Sequence, residues 1–197
     1  MLNSILSVAA AAIVLFFWVN DFLKWKGGKP FERALPGATG ASWKLVRLSI
    51  LVSLGIAAVQ ILGEYALGIK GTAEPIQAYL LLPLLGAGIV EELIFRGYLV
   101  IEKKGRKTLI VSIIFFSFAS ALLHGHLLAK VDYGFRLTLA PAAMWWTLIL
   151  VINSLWWYAV RFLPVNKDKS LLPCFAGHMA STLAIFLVRA AQGCVTF

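Results

Sequence analysis

Charge is scarce in this sequence. Asp, Glu, Lys and Arg together make up 14% of 197 residues, and only nine of them are acids. Soluble domains carry about a quarter charged residues, so an ordinary water-soluble domain is excluded. Apolar side chains take their place: the chain is 60% hydrophobic with a mean hydropathy of +0.85, which makes the bilayer its main solvent. Cysteine is nearly absent too. Cys174 falls in the last apolar run and Cys194 just past it; a helix through both would hold them roughly 30 Å apart, beyond disulfide reach. The sequence has no internal repeat and no low-complexity segment. It also has no metal-ligand spacing such as His-Glu-x-x-His, so no metal or cofactor is expected. The net charge of +9 would suggest nucleic acid in a soluble protein. Here the Lys and Arg residues cluster between apolar runs instead of forming a stripe, so the expected partner is the lipid bilayer and not nucleic acid.

Six apolar runs approach the ~20 residues that a spanning helix requires: about 2–19, 48–68, 76–101, 108–128, 137–160 and 171–190. The expected fold is all-α, a polytopic membrane helix bundle forming a single domain. Residues 1–70 would supply two N-terminal helices and a loop, and 76–190 a four-helix core. The first run lacks a basic leader and has its alanines mid-run, so it reads as a retained helix and not a signal peptide. The Gly- and Pro-rich stretch 27–44 reads as an irregular loop on the membrane surface. The pairs Trp145–Trp146 and Trp156–Trp157 read as anchors at the two interfaces.

Loop charge sets an orientation. The connections 20–47, 102–107 and 161–170 carry thirteen basic residues between them, whereas the other side carries Lys70, Lys130, Arg136 and Arg189. By the positive-inside rule the basic connections are cytoplasmic and both termini lie outside. The expected location is the bacterial inner membrane.

Within the third run stands "GAGIVEELIFRGYLV", residues 86–100. A charged side chain at bilayer depth costs at least ~2.5–3.5 kcal/mol, so Glu91, Glu92 and Arg96 need partners. Glu92 and Arg96 are at i,i+4 with the acid N-terminal, a favourable helical pair. Glu91 lies about 100° around the helix from Glu92 and about 140° from Arg96. One acid is therefore neutralised within its own helix, and the other is left as a candidate general base.

All three histidines also lie in apolar runs: His124 and His126 in the fourth, His178 in the sixth. Counted from the cytoplasmic helix ends, Glu91, His124 and His178 stand roughly 18, 24 and 12 Å deep, which tilt could bring to one layer. His124 and His126 are two apart and point to nearly opposite faces of a helix. At most one joins the site, and the deeper His124 is the candidate.

These residues resemble the CAAX-protease and bacteriocin-processing (Abi) family, which includes the type II CAAX prenyl endopeptidases. "EELIFRGYL" matches its Glu-Glu-x-x-x-Arg motif, followed by one histidine on the next helix and another near the C-terminus. The resemblance implies an intramembrane endopeptidase without a metal, acting on a peptide or protein substrate. Glu91 and His124 would activate a water, Glu92 and Arg96 would support them, and His178 with Thr182 would stabilise the oxyanion. Two positions depart from the family pattern. Ser120 stands four before His124 where phenylalanine is usual, and Thr182 stands four after His178 where Asn or Asp is usual. A threonine hydroxyl donates one hydrogen bond but lacks the reach of an amide, and losing one oxyanion donor costs ~10²–10³ in turnover.

The leading expectation is hydrolysis, with water reaching Glu91 from the cytoplasmic side. The alternative is a catalytically degenerate scaffold or accessory subunit with partners in a larger membrane complex. A proton-relay transporter ranks last, because no pair of Gly/Pro-broken helices marks matching halves.

Overall fold

The computed structural model describes residues 2–29, 32–69 and 75–196. Among them, six helices are long and apolar enough to cross a membrane, so the chain is an all-α integral membrane bundle. They are α1 (Leu2–Lys26), α2 (Trp43–Ala66), α3 (Leu81–Glu91), α4 (Arg106–Leu123), α5 (Pro141–Phe162) and α6 (Leu172–Ala191). A π-helical segment, Glu92–Leu99, prolongs α3 so that the two cross as one rod. Helix starts depart from the ends of the apolar runs because local signals decide the first turn. The Ser42 hydroxyl accepts from the Leu45 amide to open α2, and Pro141 opens α5 at a position where its missing N–H costs nothing. Glycine ends α4: Gly125, at φ +73°, turns the chain away just past the last helical residue.

The α1–α2, α3–α4 and α5–α6 connections meet at one end, which is the basic end. Glu102 accepts from Arg161 at 2.8 Å and from Lys169 at 2.6 Å. Thr39 donates to the Asp168 carbonyl at 3.0 Å. The stretch expected on the membrane surface is instead tucked into the bundle. Trp18 donates to the Pro36 carbonyl, Leu35 to the Asp21 carboxylate and Leu171 to the Gly37 carbonyl. Ala38 is buried in a core with Trp18, Leu45, Leu93, Trp157 and Leu171. The reason is polar satisfaction: an irregular strand laid across lipid would leave its amides unpaired, whereas here helix ends and side chains pair them. Residues 30 and 31 of this stretch lie outside the described residues.

Gly37 is held at φ +63°, and a Cβ there would sit 2.6 Å from Leu171 Cγ and 2.9 Å from its amide nitrogen. Gly37→Ala is therefore expected to destabilise the protein by about 2 kcal/mol or more. The change would be read as a lowered thermal midpoint in detergent; an unchanged midpoint would show that this loop does not clamp the basic end.

At the opposite end, two short strands, β1 (Ile76–Gln77) and β4 (Val195–Thr196), pair in parallel. A hairpin of β2 (Leu128–Val131) and β3 (Gly134–Leu137) links α4 to α5. Glu64, 2% exposed, accepts from Arg189 at 2.7 Å and from the Trp146 indole at 2.9 Å.

The tryptophan pairs, expected as interfacial anchors, tie α5 to α2. All four indoles donate to α2: Trp145 to the Gln60 carbonyl, Trp146 to Glu64, Trp156 to the Ser49 carbonyl and Trp157 to the Ser53 hydroxyl. The spacing explains it. Eleven residues separate Trp145 from Trp156 and also Ser49 from Gln60. Eleven residues are about three helical turns, so two antiparallel helices meet in register at both ends. In lipid, an indole N–H has a stronger claim on a neighbouring helix than on the hydrocarbon around it.

Candidate active site

Glu91 ends α3, and the helix widens to i→i+5 bonding from Glu92 onward. Such π segments recur at functional sites. Phe95 lies within it, and its carbonyl accepts from the Tyr158 hydroxyl at 2.7 Å, which ties the widened segment to α5.

Glu92 and Arg96 are both fully buried. Arg96 Nη1 stands 3.3 Å from Glu92 Oε1, and Nη2 donates to the Ser154 hydroxyl at 2.6 Å. The guanidinium also lies over the rings of Tyr158 and Trp157, at 4.9 and 5.2 Å from their centroids. The same Glu92 Oε1 accepts from His178 Nδ1 at 2.8 Å. His178 stacks on Trp157 at 4.1 Å between centroids and 11° between planes. Its other ring edge presses on α3 where Gly88 leaves room: a Cβ there would stand 3.2 Å from His178 Nε2.

Glu91 is left to a different partner. Its carboxylate, 29% exposed, has Oε1 3.9 Å from His124 Nε2. That is too far for a hydrogen bond and suits two groups that share one water. His124 Nδ1 lies 2.9 Å from the Ser120 carbonyl. A carbonyl only accepts, so Nδ1 carries a proton and Nε2 is the ring nitrogen that faces Glu91. Ser120, where phenylalanine was the family expectation, thus serves through its backbone.

His124 and His126 do not lie on opposite faces of a helix, because α4 stops at Leu123, before either of them. Once the helix ends, the period-3.6 geometry no longer separates i and i+2. The His124 and His126 rings lie side by side at 6.4 Å, and His126 also meets Trp146 at 5.4 Å. Desolvation, and second the electrostatic influence of the neighbouring His124 ring, hold the His126 imidazole below its ordinary pKa.

A cavity of about 210 Å³ joins these parts, with His124, His178, Thr182, Trp157 and Asn153 among its lining. That is room for several waters. A smaller cavity of about 120 Å³ is lined by Glu91, Phe95, Ser120, Leu123 and His124. His124 borders both. The larger cavity also reaches Gln60, Ile76 and Phe186, away from the basic end, where the Ala38–Leu171 core fills the bundle. The larger cavity thus extends away from the side on which water is expected to arrive.

Asn153 was missed by sequence reasoning. It is 3% exposed, and its Oδ1 has no hydrogen-bond partner among the described residues. An unpaired buried amide group costs about 1–3 kcal/mol. The available signal was the polar pair Asn153–Ser154 inside the otherwise apolar "LILVINSLWW". Glu64 and Arg189 were missed for the same reason: each is a single charge near a helix end, and their meeting is a tertiary fact.

The model of the type II CAAX prenyl endopeptidase Rce1-like family matches residues 74–184. The chain belongs to this family. No curated protein and no solved structure matches it. The Rce1-like segment contains Glu91, Glu92, Arg96, His124, His178 and Thr182, and it contains Asn153 as well.

Proposed function

We propose that this Rce1-like protein is an intramembrane endopeptidase that hydrolyses a peptide bond with a water activated by Glu91. The observation that supports this reading is the sorting of the two acids. Glu92 is occupied by Arg96 and His178, while Glu91, among the described residues, faces Nε2 of His124 across 3.9 Å. A water donating to both would have its lone pair directed at a carbonyl carbon. Glu91 takes the proton as the C–O bond forms and returns it to the leaving amine. Glu92 and Arg96 hold His178 in place, and His178 supports the developing oxyanion, with Thr182 on the same cavity wall.

The partners are the lipid bilayer and a peptide whose scissile bond reaches the cavity. With the basic end in the cytoplasm, both termini lie outside and the cavity extends toward the outer half of the membrane. The scaffold reading calls for a pocket filled by side chains, and a lined space of about 210 Å³ weighs against it.

The test is turnover of a prenylated CAAX peptide by protein reconstituted in nanodiscs. Cleavage is expected from the wild type and not from Glu91→Gln. Equal rates from the two would remove this mechanism.

A further inference from the structure

Asn153 sits at the middle of α5 beside Ser154, and the two side chains have separate tasks. Ser154 accepts from Arg96. Asn153, one position earlier and so about 100° around the helix, lines the cavity with His124, His178 and Thr182. It is more than nine-tenths buried, and its Oδ1 meets no donor among the described residues. Ser117, whose hydroxyl is also unpartnered, lies on α4 outside the cavity lining. An amide oxygen kept in an apolar helix, buried and without a partner among the described residues, is placed for a partner that arrives with the substrate.

The chemistry of the site says which partner. When water adds to a peptide carbonyl, the new C–O bond pushes the carbonyl electron pair onto oxygen, and a donor aimed there speeds the step. Thr182 carries a single short hydroxyl, whereas an asparagine amide offers two N–H donors and an acceptor on a longer stem.

We propose that Asn153 is a catalytic residue of this site. Its amide donates Nδ2–H to the oxyanion from α5, and its Oδ1 accepts the substrate's backbone N–H. The proposal rests on the hydrolase reading above. No proton leaves Asn153. The water proton goes to Glu91, the C–N bond breaks as the carbonyl re-forms, and Glu91 protonates the amine. The donor missing four residues after His178 is thus supplied from a different helix.

Two probes test it: a prenylated CAAX peptide, and the same peptide with the scissile amide replaced by a phosphinate, an anionic tetrahedral mimic. Asn153→Ala is expected to lower kcat ~10²–10³-fold while KM shifts less than ~3-fold. It should weaken phosphinate binding by a similar ~10²-fold factor and leave the thermal midpoint unchanged or raised, because an unpaired polar group has gone. Adding Thr182→Asn to Asn153→Ala should recover at least ~10-fold in kcat, by returning an amide to the same cavity from α6. A packing role would not respond to that transfer. The assignment is overturned if Asn153→Ala keeps kcat within ~3-fold, if it weakens peptide and phosphinate equally, or if Thr182→Asn restores nothing. If the wild type neither cleaves the peptide nor prefers the phosphinate, the hydrolase reading falls and this one with it. If the wild type does both and Asn153→Ala retains the preference, the Asn153 assignment alone falls.

Discussion

Arg96→Leu is expected to destabilise the bundle by about 3–5 kcal/mol, the usual cost of stripping one partner from a fully buried ion pair. The guanidinium holds three things at once. It neutralises Glu92, donates to Ser154 and covers the faces of Trp157 and Tyr158. Without it, Glu92 keeps only the His178 imidazole, and a carboxylate at zero exposure has no water to turn to. Arg96→Lys should recover little, since an ammonium is a point donor that cannot span Glu92 and Ser154 while stacking on two rings. Glu92→Leu combined with Arg96→Leu should regain most of the lost stability, because replacing both members of a buried pair by apolar groups is often neutral. It should nonetheless stay inactive, since His178 then loses the carboxylate that fixes its ring. Thermal or denaturant unfolding in detergent, paired with peptide turnover, separates the two effects. A single mutant as stable as the wild type would show that Arg96 is not what keeps Glu92 buried.

What was legible in the sequence follows the range of each interaction. The six crossings could be read because apolar length is a local property. The Glu92–Arg96 pair could be read because i,i+4 geometry needs only one helix, and 3.3 Å in the structure agrees with it. The matching of His178 to Glu92 could not, since it depends on how α6 lies against the widened end of α3 and on Gly88 leaving space for the ring. The placing of His124 and His126 depends on a helix end that hydropathy does not show: Gly125 cuts short the period that would set them on opposite faces. The tryptophan pairs were assigned to the interfaces because that is where amphipathic rings usually sit. Their eleven-residue spacing matched Ser49–Gln60 all along, but only with α2 known to lie antiparallel does the match mean anything. Asn153 follows the same pattern. Its polarity is visible in "LILVINSLWW", while its exposure to a cavity shared with two histidines is not.

Glu91→Gln carries the other large expected effect, a fall in kcat of about 10²–10⁴-fold, the usual contribution of a positioned general base. Glutamine keeps the size and one acceptor of the carboxylate, so a bound water stays close to Glu91's place and KM moves little. What goes is the capacity to take the proton. Stability should shift by no more than about 0.5 kcal/mol, because Glu91 is partly exposed and what it meets among the described residues is a histidine nitrogen 3.9 Å away. Glu92→Gln provides the contrast. That substitution weakens the bond to His178 and leaves Arg96 buried without its counter-ion, so activity and thermal midpoint fall together. Two adjacent glutamates of the same chemistry are thus distinguished by two measurements: one acid is lost from the rate alone, the other from the rate and the fold. If Glu91→Gln cleaves a prenylated CAAX peptide at the wild-type rate, the proton goes elsewhere and the water between Glu91 and His124 is not the nucleophile. If Glu91→Gln unfolds the protein while Glu92→Gln leaves it stable, the partition between the two carboxylates has been drawn the wrong way round.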